Sequence, residues 1–428
     1  MRVLMFGWEF PPHISGGLGT ACYGLTKGLA KHGVNLAFVV PKEYGDEDQS
    51  AVRIVPAENI EINHTSVELE EFWKNISYLE ISSNMIPYIG PEEFEKLISE
   101  SKLDNVTEHT STSLKRFRFS GKYGKDLMHE VSRYALIAAS IAKNEEFDII
   151  HAHDWLTYLA GVSAKLVSGK PLIVHMHATE FDRSGEHINK AVYDIERQGM
   201  HMADKIIAVS NLTKKIIISR YQVPEEKVVT IHNAVDFSGR DGSGCEVSKK
   251  VPEKVVTFLG RITFQKGPDY FVEAANKVIK RYPNVRFVMA GSGDMLNRMI
   301  RRAAELGITN KFHFTGFLKG EEVNRMFAMS DVYVMPSVSE PFGISPLEAM
   351  RSNVPVIISK QSGVAEILNH ALKVDFWDID AMADSIYGLL NYKALSEYFK
   401  SNGQVEVDNL KWENAALEVK KVYTSLLS

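Results

Sequence analysis

Short β-branched or apolar runs alternate with helix-length amphipathic segments along most of the 428 residues. This alternation is typical of parallel α/β architecture, in which each strand is followed by a helix that packs back on the sheet. We predict one set of strands at 3–6, 35–40, 148–151, 172–175, 205–209 and 228–231, and a second at 255–259, 285–290, 311–314, 332–335 and 356–358. Two sets of this kind indicate two doubly wound α/β domains.

The stretch 236–253 separates the two sets and contains Ser-Gly-Arg-Asp-Gly-Ser-Gly, a composition that interrupts regular structure and cannot build a core. We therefore place the first domain at 1–238 and the second at 239–404. Residues from about 65 to 125 break the alternation, which predicts an insertion in the first domain.

Composition excludes several classes of protein. Apolar residues make up 45% and charged residues 24% of the chain, as in ordinary globular proteins. The net charge of -5 gives no overall positive field, so we expect neither nucleic acid nor a membrane surface as a partner. Cys22 and Cys245 are too few for a disulfide framework or a zinc site. No secretion signal or bilayer-spanning stretch is evident, so we expect a cytoplasmic protein.

The first predicted strand leads into a glycine-rich turn that opens a helix. Gly16 and Gly17 follow Trp-Glu-Phe-Pro-Pro at 8–12, and Leu18, Cys22 and Leu25 begin an apolar helix face. Bare backbone N–H groups at the positive end of a helix dipole suit a phosphate. The alternative is a tight turn that needs glycine for a positive φ.

Histidines follow two further strands. His151-Ala-His153-Asp154-Trp ends one, and His175-Met-His177 ends the next, so their side chains belong at the edge of the sheet where open α/β sheets bind ligands. We find no convincing set of additional metal ligands, which favours hydrogen bonding over zinc. The alternative is that these are buried structural histidines.

The second domain opens with Gly-Arg261-Ile-Thr-Phe-Gln-Lys266-Gly at a strand end. An Arg and a Lys at this spacing can converge on one diphosphate, the Arg as a planar fork and the Lys as a point charge. A solvated basic turn is the alternative.

Two carboxylates bracket a later glycine turn, Glu340-Pro-Phe-Gly-Ile-Ser345-Pro346-Leu-Glu348. The pattern predicts Ser345 as the helix N-cap, Pro346 as the first helical residue and Glu348 as the acidic partner of a capping box. Glu340 precedes a proline in a loop and has no capping role.

In this order and at these spacings, the motifs resemble the retaining GT-B glycosyltransferases of the glycogen synthase, starch synthase and sucrose synthase kind. The stretches most similar to glycogen and starch synthases are His-Ala-His-Asp-Trp at 151–155, Trp-Glu-Phe-Pro-Pro at 8–12 and Ile-His-Asn-Ala-Val-Asp at 231–236. The resemblance implies the GT-B fold, in which two Rossmann-like domains face a cleft. It also implies that the C-terminal segment 405–428 crosses back to complete the first domain.

The resemblance implies a catalytic set that acts on a nucleotide-diphosphate sugar. Arg261 and Lys266 would stabilise charge on the departing diphosphate. His177 would hydrogen-bond the transferred sugar, and Glu340 would lie beside it.

It implies a binding set as well. The donor would be held by Glu348 at the ribose and by backbone groups at the phosphates or sugar, namely those of Gly16, Gly17, Phe342, Gly343 and Ile344. Asp154 and Asn233 would complete the sugar pocket. No cofactor and no metal are expected.

The implied reaction transfers glucose from ADP- or UDP-glucose to the non-reducing end of an α-1,4-glucan. Ile14 stands where synthases that use ADP-glucose commonly carry a lysine, so the donor base stays open. One alternative is a transferase acting on a lipid-linked or cell-surface oligosaccharide or a small sugar. Basic and aromatic residues interleave at 114–125, a pattern that suits an anionic bilayer, a stacked glucan or an ordinary solvated hairpin. A catalytically silent GT-B binding protein is a second alternative, which the joint presence of Arg261, Lys266, Glu340 and Glu348 disfavours.

Overall fold

The computed structural model describes residues 1–13, 16–60, 119–120, 124, 127–235 and 252–428. Strands and helices alternate through these residues. The strands are β1 (Arg2–Phe6), β2 (Asn35–Val40), β3 (Arg53–Pro56), β4 (Ile149–His153), β5 (Leu172–Met176), β6 (Lys205–Ala208), β7 (Val228–Thr230), β8 (Lys254–Leu259), β9 (Val285–Ala290), β10 (Phe312–Gly316), β11 (Val332–Met335), β12 (Val356–Ser359) and β13 (Leu372–Val374).

The helices of the first half are α1 (Gly17–Lys31), α2 (Leu127–Asn144), α3 (Trp155–Ser168), α4 (Glu180–Ser184), α5 (Lys190–Met202) and α6 (Asn211–Tyr221). Those of the second half are α7 (Pro268–Arg281), α8 (Leu296–Glu305), α9 (Glu321–Met329), α10 (Ser345–Arg351), α11 (Ile379–Asn391), α12 (Lys393–Asp408) and α13 (Trp412–Leu427).

The strands form two parallel sheets. The first has seven strands in the order β3-β2-β1-β4-β5-β6-β7, and the second has six in the order β10-β9-β8-β11-β12-β13. The predicted fold class, two Rossmann-like α/β domains, is confirmed. Strand order reverses between β1 and β4 in one sheet and between β8 and β11 in the other. Ligands of open α/β sheets bind at the carboxyl ends of the strands at such reversals.

The alternation of side chains along β1 shows how the first sheet is covered on both faces. Leu4 and Phe6 pack in one apolar cluster with α2 and α3, whereas Val3 and Met5 pack in another with α1 and α13. Successive side chains of a strand point to opposite faces, so a strand covered by helices on both sides is apolar throughout.

Helix α13 packs on α1 in the first domain. A Cβ built on Gly24 would lie 2.2 Å from the Trp412 ring, and one built on Gly28 would lie 2.7 Å from the Trp412 carbonyl oxygen. Glycine at these two positions therefore allows the helices to approach closely. The preceding helix α12 packs instead on α10 of the second domain.

A carboxylate of the second domain caps a helix of the first. The Glu366 side chain accepts hydrogen bonds from the backbone N–H groups of Asn211 at 2.9 Å and Leu212 at 2.7 Å, the start of α6. The His232 ring also contacts the Glu366 carboxylate, at 2.8 Å. These contacts join the two domains near the chain crossing between them.

Several predictions lie outside the described residues. They include most of the insertion at about 65–125, most of the joint at 236–253, Ile14 and Cys245. Among the helices that the structure describes, none combines the length and apolar character needed to cross a bilayer.

Candidate active site

The carboxyl ends of β4 and β5 bring four histidines together. His151 and His153 lie two residues apart on β4, and His153 pairs in register with His175 on β5. His177 follows β5 directly, and its ring lies 4.4 Å from that of His175 and 5.3 Å from that of His153. The predicted sugar-binding histidine therefore stands at the end of a column of imidazoles.

The histidine column is uncharged at neutral pH. Burial lowers the pKa of His177 to about 3. Burial, followed by the neighbouring histidines, also holds the pKa values of His151, His153 and His175 well below the ordinary range. His177 is therefore a neutral hydrogen-bonding group in the cleft.

Ring nitrogens of His151, His153 and His175 lie within 4.8 Å of one another, close enough to raise the question of a metal. The rings of His151 and His153 stack with centroids 4.2 Å apart, and those of His151 and His175 are within 2° of parallel. A metal must lie in the plane of each ligating imidazole, along its lone pair. Stacked rings do not direct their lone pairs to a common point, so this geometry fits a packed column better than a metal centre.

Asp154 is the N-cap of α3, and its backbone has an unusual positive φ of 63°. Its carboxylate accepts a hydrogen bond from the Trp155 backbone N–H at 2.7 Å. Burial raises the pKa of the Asp154 carboxyl, while Arg183 and, from the second domain, Arg261 oppose that rise. The predicted sugar-pocket carboxylate thus lies within electrostatic reach of the predicted diphosphate-binding arginine.

Arg183 organises a buried acidic network that the sequence analysis did not predict. Its guanidinium bonds to Glu180 at 3.1 Å and to Glu196, and lies 3.8 Å from Asp154. The Arg183 side chain is only 7% exposed, so the network is shielded from solvent. The signal was available, since Glu-Phe-Asp-Arg at 180–183 begins four residues after the end of the buried strand β5. The network holds α4, and with it the turn that carries His177.

In the second domain, Arg261 and Lys266 both follow β8. Arg261 is exposed, and one of its nitrogens donates to the Gln265 side chain at 3.3 Å. Lys266 donates to the buried Glu340 carboxylate at 2.5 Å. Gly267 ends this turn at a φ of 64°, and a Cβ there would lie 2.1 Å from the Pro336 carbonyl oxygen. Only glycine fits, which fixes the loop that carries both cations against the β11 loop.

Gly343 forms the glycine turn between Glu340 and α10, at a φ of 100°. In the described part of the chain, none of the backbone N–H groups of Phe342, Gly343 and Ile344 donates a hydrogen bond. Three open donors before a helix offer an anion a binding position.

The predicted capping box is wrong. Helix α10 begins at Ser345, one residue earlier than predicted, and no side chain caps it. The Ser345 hydroxyl is instead bonded to the Tyr333 hydroxyl at 2.8 Å. The Glu348 carboxylate makes no hydrogen bond to any residue that the structure describes, and burial raises its pKa, with Arg351 opposing the rise. Helix capping therefore does not explain the presence of Glu348, and its carboxylate is available to a ligand.

Gly16 and Gly17 are exposed at the start of α1. The φ of Gly16 is -179°, which any residue adopts, and a Cβ on either glycine would meet nothing within 4 Å. Neither backbone strain nor packing inside the described chain requires glycine here. The buried Glu9 accepts a hydrogen bond from the Gly19 N–H at 3.2 Å and anchors this turn to the preceding loop.

The two domains touch at the cleft. The Ser339 hydroxyl, next to Glu340, donates to the Asp182 carboxylate at 2.5 Å. This contact brings the loop after β11 against α4, the short helix that follows β5. Asn233 is buried after β7, and no hydrogen bond joins it to another candidate residue within the described ranges.

Two family models match the chain. Residues 246–406 match the family described as Glycosyl transferases group 1. Residues 103–238 match the one described as Glycosyltransferase Family 4. The first match covers the domain that carries Arg261, Lys266, Glu340 and Glu348.

Some curated relatives match almost all of this sequence. An uncharacterized glycosyltransferase of Methanocaldococcus jannaschii is 28% identical over 445 residues, covering 99% of this chain and 98% of that protein. The glycogen synthase of Mycobacterium tuberculosis is 22% identical over 440 residues, covering 99% and 94%.

Solved structures share the fold. Sucrose-phosphate synthase from Thermosynechococcus elongatus has a TM-score of 0.73 at 17% identity, covering 99% of this chain and 98% of that one. Anabaena HepE in complex with UDP and glucose has a TM-score of 0.68 at 16% identity, covering 99% and 100%. The fold and the matches together define a glycosyltransferase of GT-B architecture. More narrowly, the second domain matches the group 1 glycosyltransferase model over residues 246–406.

Proposed function

We propose that the protein is a retaining glycosyltransferase that moves glucose from a nucleotide-diphosphate glucose to the non-reducing end of an α-1,4-glucan. The observation that carries the proposal is the meeting of two half-sites across one cleft. The first domain supplies the neutral His177 and the buried Asp154, and the second supplies Arg261 and Lys266.

The proposed role of each residue follows from its charge. Negative charge develops on the diphosphate as the glycosidic C1–O bond breaks, and Arg261, Lys266 and the open N–H groups at 342–344 would stabilise it. The acceptor oxygen would bond to C1 on the same face, and its proton would pass to the departing phosphate oxygen. This proton transfer needs no protein base, in agreement with histidines whose lowered pKa values make them weak bases.

Similarity to a glycogen synthase over 99% of the chain supports the glucan acceptor, and the complex of HepE with UDP and glucose supports a nucleotide-glucose donor. No described residue favours ADP over UDP, so both donors enter the test.

The test is incorporation of labelled glucose from UDP-glucose and from ADP-glucose, with glycogen, with a short maltooligosaccharide and without acceptor. We expect acceptor-dependent incorporation that β-amylase releases as maltose, since new units would be α-1,4-linked at the non-reducing end. Lys266→Ala should abolish incorporation, whereas Lys277→Ala, an exposed lysine of α7 paired with Asp380, should not.

Other results would redirect the proposal. Hydrolysis of the donor without incorporation would support an enzyme that uses this donor and would exclude the glucan as its acceptor. Nucleotide binding with no turnover of either donor would indicate a catalytically silent relative.

A further inference from the structure

The His153 and His177 rings share one hydrogen bond. Nδ1 of His153 lies 3.0 Å from Nε2 of His177. Both rings are neutral, because burial lowers both pKa values, so one nitrogen must donate and the other accept. The bond therefore couples the tautomers of the two rings.

The second ring nitrogen of His153 decides between the two arrangements. Nε2 of His153 is buried and has no partner within the described chain. If His153 carried its proton there, an N–H group would be buried unsatisfied, which folded proteins tolerate less well than an unfilled acceptor. The proton is better placed on Nδ1, where it is donated to His177.

The consequence for His177 follows directly. With Nε2 accepting from His153, the His177 proton must be on Nδ1. His177 is only half-buried, and its Nδ1 makes no hydrogen bond to a residue in the described ranges, so this N–H is the group left for a ligand. It can donate to a sugar hydroxyl oxygen.

The rest of the column holds His153 in place. His151 stacks on it at 4.2 Å, and Nδ1 of His151 is 2.6 Å from the Tyr423 hydroxyl on α13. The Cys22 sulfur lies within 4.8 Å of ring nitrogens of His153 and His177. Burial raises the pKa of Cys22, so this neighbour is a neutral thiol and not a thiolate that would attract the His153 proton.

We propose that His153 is a positioning residue that fixes His177 as the Nδ1–H tautomer, aimed at the transferred sugar. The inference rests on the proposed function only in its last step, the contact between His177 and the sugar. The tautomer itself is a property of the free protein.

The direct test is the ring ¹⁵N spectrum of histidine-labelled protein at pH 7.5, with the His177 signals assigned by their loss in His177→Asn. We expect the Nδ1–H pattern in the wild type. His153→Leu, which fills the space without a donor, should shift His177 towards the Nε2–H form. His153→Asn, whose amide can donate from near the Nδ1 position, should restore the wild-type pattern.

Kinetics provide the second readout. We expect His153→Leu to lower kcat about tenfold, the effect of one lost hydrogen bond. Nucleotide affinity should be unchanged, and His153→Asn should recover most of the loss. His201→Leu is the control, because its ring bonds to the Tyr221 carbonyl oxygen away from the column.

An Nε2–H pattern for His177 in the wild type would overturn the inference, and so would an unchanged pattern in His153→Leu. The wild-type spectrum decides even if a variant fails to fold. Failure of the proposed contact between His177 and the sugar would give a different result. His177→Ala would then retain full activity, while the wild-type tautomer remained Nδ1–H.

Discussion

Lys266 and Glu340 form an ion pair although 74 residues separate them in the sequence. The Glu340 side chain is 8% exposed, and Ser337 also donates to it, at 3.2 Å. The lysine proposed to meet the donor diphosphate is thus already held by a carboxylate. The pair orients the cation, and it also means that a mutation of Lys266 affects stability.

For this reason Lys266→Ala should lose activity about 100-fold or more and also lower the free energy of unfolding by about 1–3 kcal/mol, because Glu340 is left buried without its partner. The double variant Lys266→Ala/Glu340→Gln should recover most of the stability and none of the activity. Arg261→Ala, at an exposed position, should lose activity with little change in stability. Urea unfolding beside initial rates measures both, and recovery of activity in the double variant would contradict a role for Lys266 in donor chemistry.

Glu348→Ala should weaken nucleotide binding roughly 10- to 100-fold, the effect of losing charge-assisted hydrogen bonds. It should barely change the melting temperature, because no described residue bonds to the Glu348 carboxylate. Ser345→Ala should lower the melting temperature and leave nucleotide affinity unchanged, since its hydroxyl partner Tyr333 is fully buried. Calorimetric titration with UDP and ADP, beside thermal unfolding, checks the pair. Equal nucleotide affinity in wild type and Glu348→Ala would remove Glu348 from the site.

Acid should destabilise the protein through the histidine column. The unfolded chain binds protons at histidine below a pH of about 6.5, whereas the folded rings, whose pKa values are lowered, do not. Stability from each ring is therefore complete above pH 6.5 and falls by up to about 1.4 kcal/mol per pH unit below it. For His177 the loss continues to a pH of about 3.

His175→Leu isolates this effect, because both of its ring nitrogens lack partners in the described structure. The variant should match the wild type at pH 7.5 and become the more stable of the two by pH 5.5. The buried carboxyls with raised pKa values, such as Asp154 and Glu196, act in the opposite direction but are common to both proteins. Parallel denaturation curves at the two pH values, with no divergence, would show that His175 titrates normally.

Gly28→Ala should destabilise the first domain by about 1–3 kcal/mol, the usual cost of overpacking. The added Cβ would lie 2.7 Å from the Trp412 carbonyl oxygen and 2.8 Å from the Ala416 Cβ. Gly388→Ala in α11 is the matched control. Its Cβ would have its nearest contact at 3.5 Å, so helix propensity should make it neutral or stabilising by about 1 kcal/mol. Thermal unfolding distinguishes them, and equal melting temperatures would mean that α13 moves away from α1 at little cost.

The alternation of apolar runs predicted the two sheets because the central strands, such as β4, β5, β11 and β12, are fully buried and largely apolar. It did not predict β3 (Arg53–Pro56) and β13 (Leu372–Val374), which are edge strands of four and three residues. Both strands are short and partly exposed, so their apolar pattern is weak, whereas the edge strands β7 and β10 were predicted from their apolar residues. The candidate residues at strand ends could be selected because topology alone places such positions at a cleft.

Contacts between distant segments could not be predicted. Ser345 has the sequence pattern of an N-cap, yet its hydroxyl bonds to Tyr333, which a local pattern cannot reveal. The contact of Asp182 with Ser339 depends on how the two domains meet, and so does the capping of α6 by Glu366. Local rules describe elements, whereas these bonds depend on the packed tertiary structure.

The packing of α13 on α1 also has a consequence for the synthesis of the chain. Gly24 and Gly28 form a surface shaped for Trp412, which is synthesised almost 400 residues later. A ribosome that has made the whole first sheet has therefore made a domain with one apolar face still bare. Helix α13 covers that face only after the second domain has been synthesised, so the first domain stays incomplete throughout the synthesis of the second.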